Sequence, residues 1–507
     1  MHAQHDPIFS KVGFVCQEAE PNDTELAQMI DNIINQIFGP EGLKALVRPG
    51  DHVVIKTNIV CCWQGSRGEK GRGVISDPRI VRYLAEKIRG IIGYSNGADL
   101  KVVDACFSPD ENASNVNNPV SFHWARLNRV PDNCVWPEDV CYDCDADGYL
   151  DGTSHAKLVN LDAIRDDGRD MHLIRLDNGR EIPVCFPKFL RRKEDAADGG
   201  DYTDVFIGVP VFKNHGFVGC TGSLKLHYGF RSLNAYGDDT GRRGHSGMYS
   251  VSKNGTFGPE GAQLLNEYIT AQHLVRSYDF VLMDCLTANR NGPCSPTGAV
   301  SITPDPDEKV DYILTHALLA SKDPVAVDTV ESTLGGYRYE SIALNATASH
   351  NDVGISNAAD IEVDGLERLA RHRQRLLKMY GPEGKYPLST SGNPILAKNL
   401  GPQYSVTLDS FTVEPDENGM HHVKYHVTPF ETASEADVRR VDLVVFGAIR
   451  QSIMGEGLLE GEFTFRHEDY DCFNGAYVVG YVAAWDGMFN CVLSSTEFFI
   501  PPTGCKD

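Results

Sequence analysis

Positive charge is scarce in this chain, and so are long apolar runs. Lys and Arg together number 47 against 70 Asp and Glu, a formal net charge of −23. A field of that sign repels phosphate backbones and anionic lipid, so neither nucleic acid nor a membrane is expected as a general partner. No stretch approaches the roughly 18 consecutive apolar residues of a membrane span. The opening MHAQHDPIFSKVGFV has no basic start followed by an apolar run, so it does not read as a signal peptide. A cytoplasmic protein is the expectation. The 14 cysteines form no disulfide-like framework, which points to reduced, mostly buried thiols. The C-x-x-C-x-x-C-x-x-x-C-P run of ferredoxin-like modules is missing. The Gly-rich loop Gly65–Gly73 lacks the residue order of a P-loop, and no G-x-G-x-x-G follows a strand. No repeat of solenoid period is present.

The 507 residues that are there are enough for two or three domains. Asn22-Asp23-Thr24-Glu25 opens a helix whose apolar residues recur at helical spacing until Gly39-Pro40. His52–Lys56 and Leu100–Asp104 read as strands around a helix that Asp77 caps and Pro78 starts, the order of a parallel pair with a right-handed crossover. Residues 108–200, rich in Asn, Asp and Gly, break that rhythm and read as an insertion or an elaborated connection. Strands at Val205–Val209 and Phe280–Asp284, a helix around Ala262–Tyr278, another from Asp323-Pro324 to Gly335, and a basic helix Leu366–Met379 restore it. The expected fold is α/β over residues 1–400, a mostly parallel sheet with helices on both faces. A linker-like segment, Pro382–Pro402, then leads to a β-sandwich-like domain over 401–507. Its strands are placed at Val406–Val413, His422–Val427, Asp442–Phe446, Ala476–Ala483 and Cys491–Ile500.

Reactive side chains crowd Val205–Gly229, VFIGVPVFKNHGFVGCTGSLKLHYG. Pro210 ends the apolar run, and the loop beyond it carries Lys213, His215, Thr221, Ser223, Lys225 and His227. Ligands of open α/β sheets bind at that edge. His215 suits proton abstraction next to a carbonyl, with Lys225 to stabilise the developing oxyanion or act as a nucleophile, and Lys213 beside them. Asp284, at a strand's C-terminal end, is the candidate carboxylate. Lys56 and Asn58, Thr221 and Ser223, and Asp328 are candidates for holding a small, anionic substrate. These groups are expected to share one cavity. Asp143, Asp145, Asp147 and Asp151 follow the ligand order of a calcium loop, with Gly148 at the bend but Ser154 at the twelfth position.

Four segments together resemble the family called domain of unknown function 362: VVIKTN at Val53–Asn58, SDPRIVRYL at Ser76–Leu84, PVFKNH with TGSLKLHYG, and MDCLTANRNGP followed by ASKDPVAVD at Ala320–Asp328. The similarity spans roughly residues 50–335. It implies an α/β fold and brings no established reaction. His215, Lys225 and His245 are also similar to the pattern of lactate-racemase-type proteins. That resemblance implies His215 as acid/base, Lys225 as the anchor of a nickel-pincer nucleotide and His245 as a nickel ligand. The function expected is proton transfer next to a carboxylate or carbonyl, as in an isomerase, epimerase or lyase. The alternatives are an anion- or metal-binding protein without turnover, or a scaffold whose β-domain binds a partner.

Overall fold

The structure is a computed structural model. It describes residues 10–59, 73–94, 99–105 and 126–127, most of 140–215, 218–230, 259–289, 312–335 and 342–380, and most of 404–500. One mixed sheet organises the first part of the chain. Its strands are β1 (Ser10–Cys16), β2 (His52–Thr57), β3 (Asp99–Asp104), β4 (Lys157–Asn160), β5 (Val205–Val209), β6 (Val211–His215), β7 (Gly219–Thr221), β8 (Phe280–Asn289), β9 (Tyr312–Ser321) and β10 (Ile361–Asp364). They lie in the order β10-β1-β9-β8-β5-β2-β3-β4, with β6 beside β8 and β7 beside β6. The pairs β8/β5, β5/β2, β2/β3 and β3/β4 are all parallel. Strand β9 runs against both β8 and β1.

The helices are α1 (Asp23–Phe38), α2 (Pro78–Ile92), a short α3 (Ser223–Leu226), α4 (Pro259–Val275), α5 (Pro324–Leu334), α6 (Ala343–His350) and α7 (Leu366–Tyr380). Alternating strand residues divide the sheet into two buried faces, as a period of two requires. Val53, Ile55, Leu100, Val102, Ile207 and Leu282 pack with α1 and α2. Val54, Val103, Phe206, Val281 and Met283 pack with apolar residues of α4, α5, α6 and α7. The layers are therefore helix, sheet, helix, and the expected α/β class with helices on both faces holds.

Local chemistry sets the helix ends. Asn22 and Glu25 form a reciprocal capping box on α1. Asp77 accepts from Arg79 N at 2.8 Å and Pro78 opens α2. Asp323 accepts from Val325 N and Ala326 N at the start of α5.

Two expectations need correction. Residues 108–200 do not stand apart from the sheet: β4 extends it beyond β3. The hairpin Arg169–Arg175 with Glu181–Pro187 sends Val184 and Phe186 into the core. Its strands escape a sequence reading because one face is polar or exposed. Likewise, Val205–Val209 is not followed by a loop. Pro210 ends pairing with β2, but the chain resumes as β6 against β8, turns back as β7, and enters α3.

From residue 404 the described strands are antiparallel. Tyr404–Phe411, Met420–Pro429 and Glu460–Arg466 form one sheet. Ala448–Met454, Val438–Val445, Val478–Asp486, Cys491–Leu493 and Phe498–Ile500 form another. Val406, Val423 and Phe463 from the first share one core with Val441, Leu443 and Val482 from the second. The sheets thus face each other as in a sandwich. The strand expected at Cys491–Ile500 is two strands, and Ala448–Met454 and Glu460–Arg466 were not anticipated.

Candidate functional site

Strand order reverses at β2: the chain proceeds to β3 and β4 on one side, then to β5 and β8 on the other. Crevices at such a reversal, beyond the C-terminal ends of the strands, are where open α/β sheets hold ligands. At this edge Lys56 is buried, with 1% of its surface exposed. Its ammonium donates to Asp104 Oδ1 at 2.7 Å and to Thr57 O at 2.6 Å. Asp104 Oδ2 accepts from Ile59 N at 2.5 Å and Thr57 Oγ1 at 3.2 Å. A buried ammonium is tolerable only with such company. Phe230 covers it, the ring centroid 5.6 Å from Nζ.

Asn58 and Lys213 complete this corner. Lys213 Nζ donates to Val74 O at 2.6 Å and reaches Asn58 Oδ1 at 3.4 Å. Ser76 ties three segments together: its hydroxyl accepts from Asn58 N at 2.9 Å and donates to Val209 O at 2.5 Å, while its carbonyl accepts from Tyr142 Oη at 2.8 Å. Ser76→Ala would orphan buried backbone groups, so a loss of about 1–3 kcal/mol is expected in chemical denaturation.

Asp284 does not end its strand as expected, because β8 continues to Asn289, but its carboxyl reaches the same corner. Its Oδ2 accepts from Asp77 N at 2.8 Å and its Oδ1 from Leu286 N at 3.0 Å, so both oxygens serve the backbone. Burial, then the neighbouring Asp77 carboxylate, pushes its carboxyl up to about 7. A group of that kind is poised to exchange protons near neutrality. Asn58, Lys213 and Asp284 are thus tied to the adjacent Ser76 and Asp77 in one corner, whereas the Lys56 ammonium, at the end of the same β2, is held apart by Asp104 and Thr57 O.

The segment after β7 contributes from the other face. Lys225 is buried on α3, its ammonium 4.3 Å from the centre of the Tyr228 ring. Gly229 and Phe230, a few residues on, pack against Lys56. Thr221 lies opposite Lys213 in the β6/β7 pair, and its buried hydroxyl has no hydrogen-bond partner among the described residues. Ser223 and Asp328 bind each other rather than facing the corner: Ser223 Oγ donates to Asp328 Oδ1 at 2.8 Å. His215 is on β6 opposite Gly219, with its side chain outside the described residues. His245 and Asp145 also lie outside them.

His227 is a core residue. Its ring stacks on His273 at 3.5 Å between centroids, among Phe206, Phe230 and Tyr278. Burial holds both imidazoles neutral, His227 well below its ordinary value and His273 down to about 3. In the acidic loop, Asp143 accepts from Asp147 N and Gly148 N, Asp147 from Tyr149 N, and Asp151 pairs with Arg82 at 3.5 Å. Gly148 takes the left-handed φ of 86° that the bend needs. Burial pushes the Asp143 carboxyl up to about 6. No group of three or more metal-ligating side chains converges among the described residues.

Sequence reasoning missed three participants: Asp104 as partner of Lys56, Tyr142 beneath Ser76, and Glu331 beside Asp328. Only Glu331 left a signal, the Asp-x-x-Glu spacing that puts two carboxyls on one helix face.

Residues 145–333 match the family model described as Domain of unknown function (DUF362), so the similarity expected from the sequence is borne out over that stretch. The match takes in part of the supposed insertion and leaves out Val53–Asn58 and Ser76–Leu84. No curated protein matches. Among solved structures, a superoxide reductase (neelaredoxin) from Ignicoccus hospitalis is similar at 10% identity and a TM-score of 0.15, over 20% of this chain and 80% of that one. Fibronectin(III)-like modules of Clostridium thermocellum CbhA are similar at 17% identity and a TM-score of 0.13, over 20% of this chain and 99% of theirs. Likeness at that level carries no argument about function. Among the described residues no helix is long and apolar enough to cross a membrane.

Proposed function

We propose that this protein is a cytoplasmic enzyme that moves a proton at a carbon next to a carboxylate or carbonyl, as an isomerase, epimerase or lyase. The observation that supports it is the corner where Asn58, Lys213 and the Asp284 carboxyl are tied to Ser76 and Asp77, with the buried Lys56 ammonium at the C-terminal end of β2 beside Asp104. Two ammoniums in a buried setting suit a small anion, because charge interactions strengthen as water is excluded. In this reading His215, on the strand that carries Lys213, is the base. Lys225 stabilises the oxyanion, and Asp284 exchanges protons near pH 7. The nickel-pincer anchor at Lys225 stays a separate, testable detail. A covalent adduct would add mass to that residue, and no step of this reading runs through it.

The test is thermal shift with pyruvate, lactate, 2-oxoglutarate and malate, with chloride as control. At least one carboxylate is expected to raise the melting temperature of the wild type, and Lys213→Met to abolish that shift. Equal shifts in both proteins would remove the corner from consideration. Loss of His215 or Lys225 as Ala is expected to slow turnover about a hundredfold or more with the fold retained.

A further inference from the structure

Asp328 and Glu331 sit three residues apart on α5, on one face of the helix. Asp328 ties α5 to α3. Its Oδ1 accepts from Ser223 N at 2.7 Å and Ser223 Oγ at 2.8 Å, and its Oδ2 accepts from Leu224 N at 2.9 Å. The next residue is Lys225. Glu331 is the opposite case: it is 0% exposed, and neither carboxyl oxygen has a hydrogen-bond partner among the described residues.

The two carboxyls press on the same glycine. A methyl group built on Gly222 would lie 2.3 Å from Asp328 Oδ1 and 2.4 Å from Glu331 Oε2. Those oxygens can be no further apart than the two distances together. Among the described residues the ionisable groups acting with them are all acidic or neutral: Asp323 at the helix cap, Tyr278 before β8, Cys220 on β7 and Cys285 on β8, both thiols pushed up by burial and by Glu331. Among the described residues no cation acts on Glu331. An ionised carboxylate without a donor is costly in a buried site, and two side by side cost more.

We propose that Asp328 and Glu331 hold one proton between them, with Glu331 the neutral member, and that this proton keeps Asp328 in place to position the turn carrying Lys225. Both are positioning residues. Neutral Glu331 can donate to Asp328 without disturbing the three bonds Asp328 accepts. With both ionised, repulsion across Gly222 drives Asp328 off Ser223 and Leu224, and α3 loses its tether. Only the consequence for turnover rests on the proposed role of Lys225; the shared proton does not.

Burial raises both carboxyls, Asp328 to about 7. A raised carboxyl stabilises the fold below its unfolded value, and that contribution is lost as pH rises through the folded one. The wild type should therefore melt at lower temperature as pH rises well beyond the ordinary carboxylate range and Glu331 gives up the shared proton, with amide exchange at Ser223 and Leu224 speeding up beyond its intrinsic base catalysis. Its infrared spectrum at neutral pH should carry a protonated carboxyl band. Glu331→Gln, whose amide donates as the neutral acid does, should lose the Glu331 part of that band, leaving that of Asp284, make the melting profile less steep and keep Ser223 and Leu224 protected. Asp328→Asn should flatten the same profile, a check that stands if the Gln variant folds poorly. A band unchanged in Glu331→Gln, or a melting profile as steep as wild type in both variants, would overturn the proposal. Lys225→Ala should leave band and profile as they are, so failure of the catalytic reading and failure of the proton pair remain separate results.

Discussion

Replacing Asp104 by Ala is expected to destabilise the protein by about 3–5 kcal/mol, because it strands the Lys56 ammonium in a buried site. Two other groups lose their acceptor at once, Ile59 N and Thr57 Oγ1, both at Oδ2. Lys56→Met alone should cost less, since an aspartate that keeps two donors is less exposed to the loss than an ammonium left with one carbonyl. The double replacement Lys56→Met with Asp104→Leu should recover much of the deficit, as buried pairs exchanged for apolar residues of similar volume often do. Urea denaturation of the four proteins measures this cycle. Additive losses would mean that the pair is not the closed unit the geometry describes. The double variant should nevertheless bind no carboxylate, because stability and ligand recognition at this corner are separate properties of the same two side chains.

The second large effect is acid sensitivity from the stacked imidazoles. His273 titrates at about 3 in the folded protein against 6.5 in the unfolded chain, with burial as the cause. The unfolded state therefore takes up the proton first. Stability is complete above 6.5 and falls as pH drops toward 3, by on the order of 4 kcal/mol for this residue. His227, pushed down by burial and by His273, works in the same direction. The raised carboxyls of Asp284 and Asp328 act in the opposite sense, gaining stability as pH falls through about 7. A stability optimum on the acid side of neutrality follows. His273→Phe keeps a flat ring against His227 and removes the titration, so the acid limb of the stability curve should flatten by several kcal/mol. Calorimetry or urea titration across pH on both proteins checks it; parallel curves would show that His273 does not titrate with folding.

Much of the fold could be read from local chemistry. Asn22, Asp77-Pro78 and Asp323-Pro324 announce helix starts because caps act on the nearest backbone groups. The apolar runs of β2, β5 and the first half of β8 are short and unbroken, as strands buried on both faces are. The hairpin at 169–187 was not legible, since its outer face exposes Met171 and Leu173 and its inner face is completed only by α4. The site divided in the same way. Lys56 and Asn58 could be named because strand ends carry function in parallel sheets; Asp284 reads from the sequence as an end that the strand does not have, since β8 runs on to Asn289, and Lys213 sits inside β6. Asp104 pairing with Lys56, and Glu331 pressed on Gly222, depend on contacts 48 and about a hundred residues apart, which no local pattern encodes. The Ser223 and Asp328 pair, expected at the substrate, instead fixes the frame that holds Lys225.

The most direct test of the proposed chemistry is hydrogen exchange at carbon. A panel of 2-hydroxy, 2-oxo and 2-amino acids incubated with the protein in deuterium oxide reports proton abstraction whichever of these acids the site accepts. The expected result is enzyme-dependent deuterium at the carbon beside the carboxylate or carbonyl of at least one compound, lost in His215→Ala and in Lys225→Ala. Exchange that persists undiminished in both variants, or none with any compound that the wild type binds, would contradict the account.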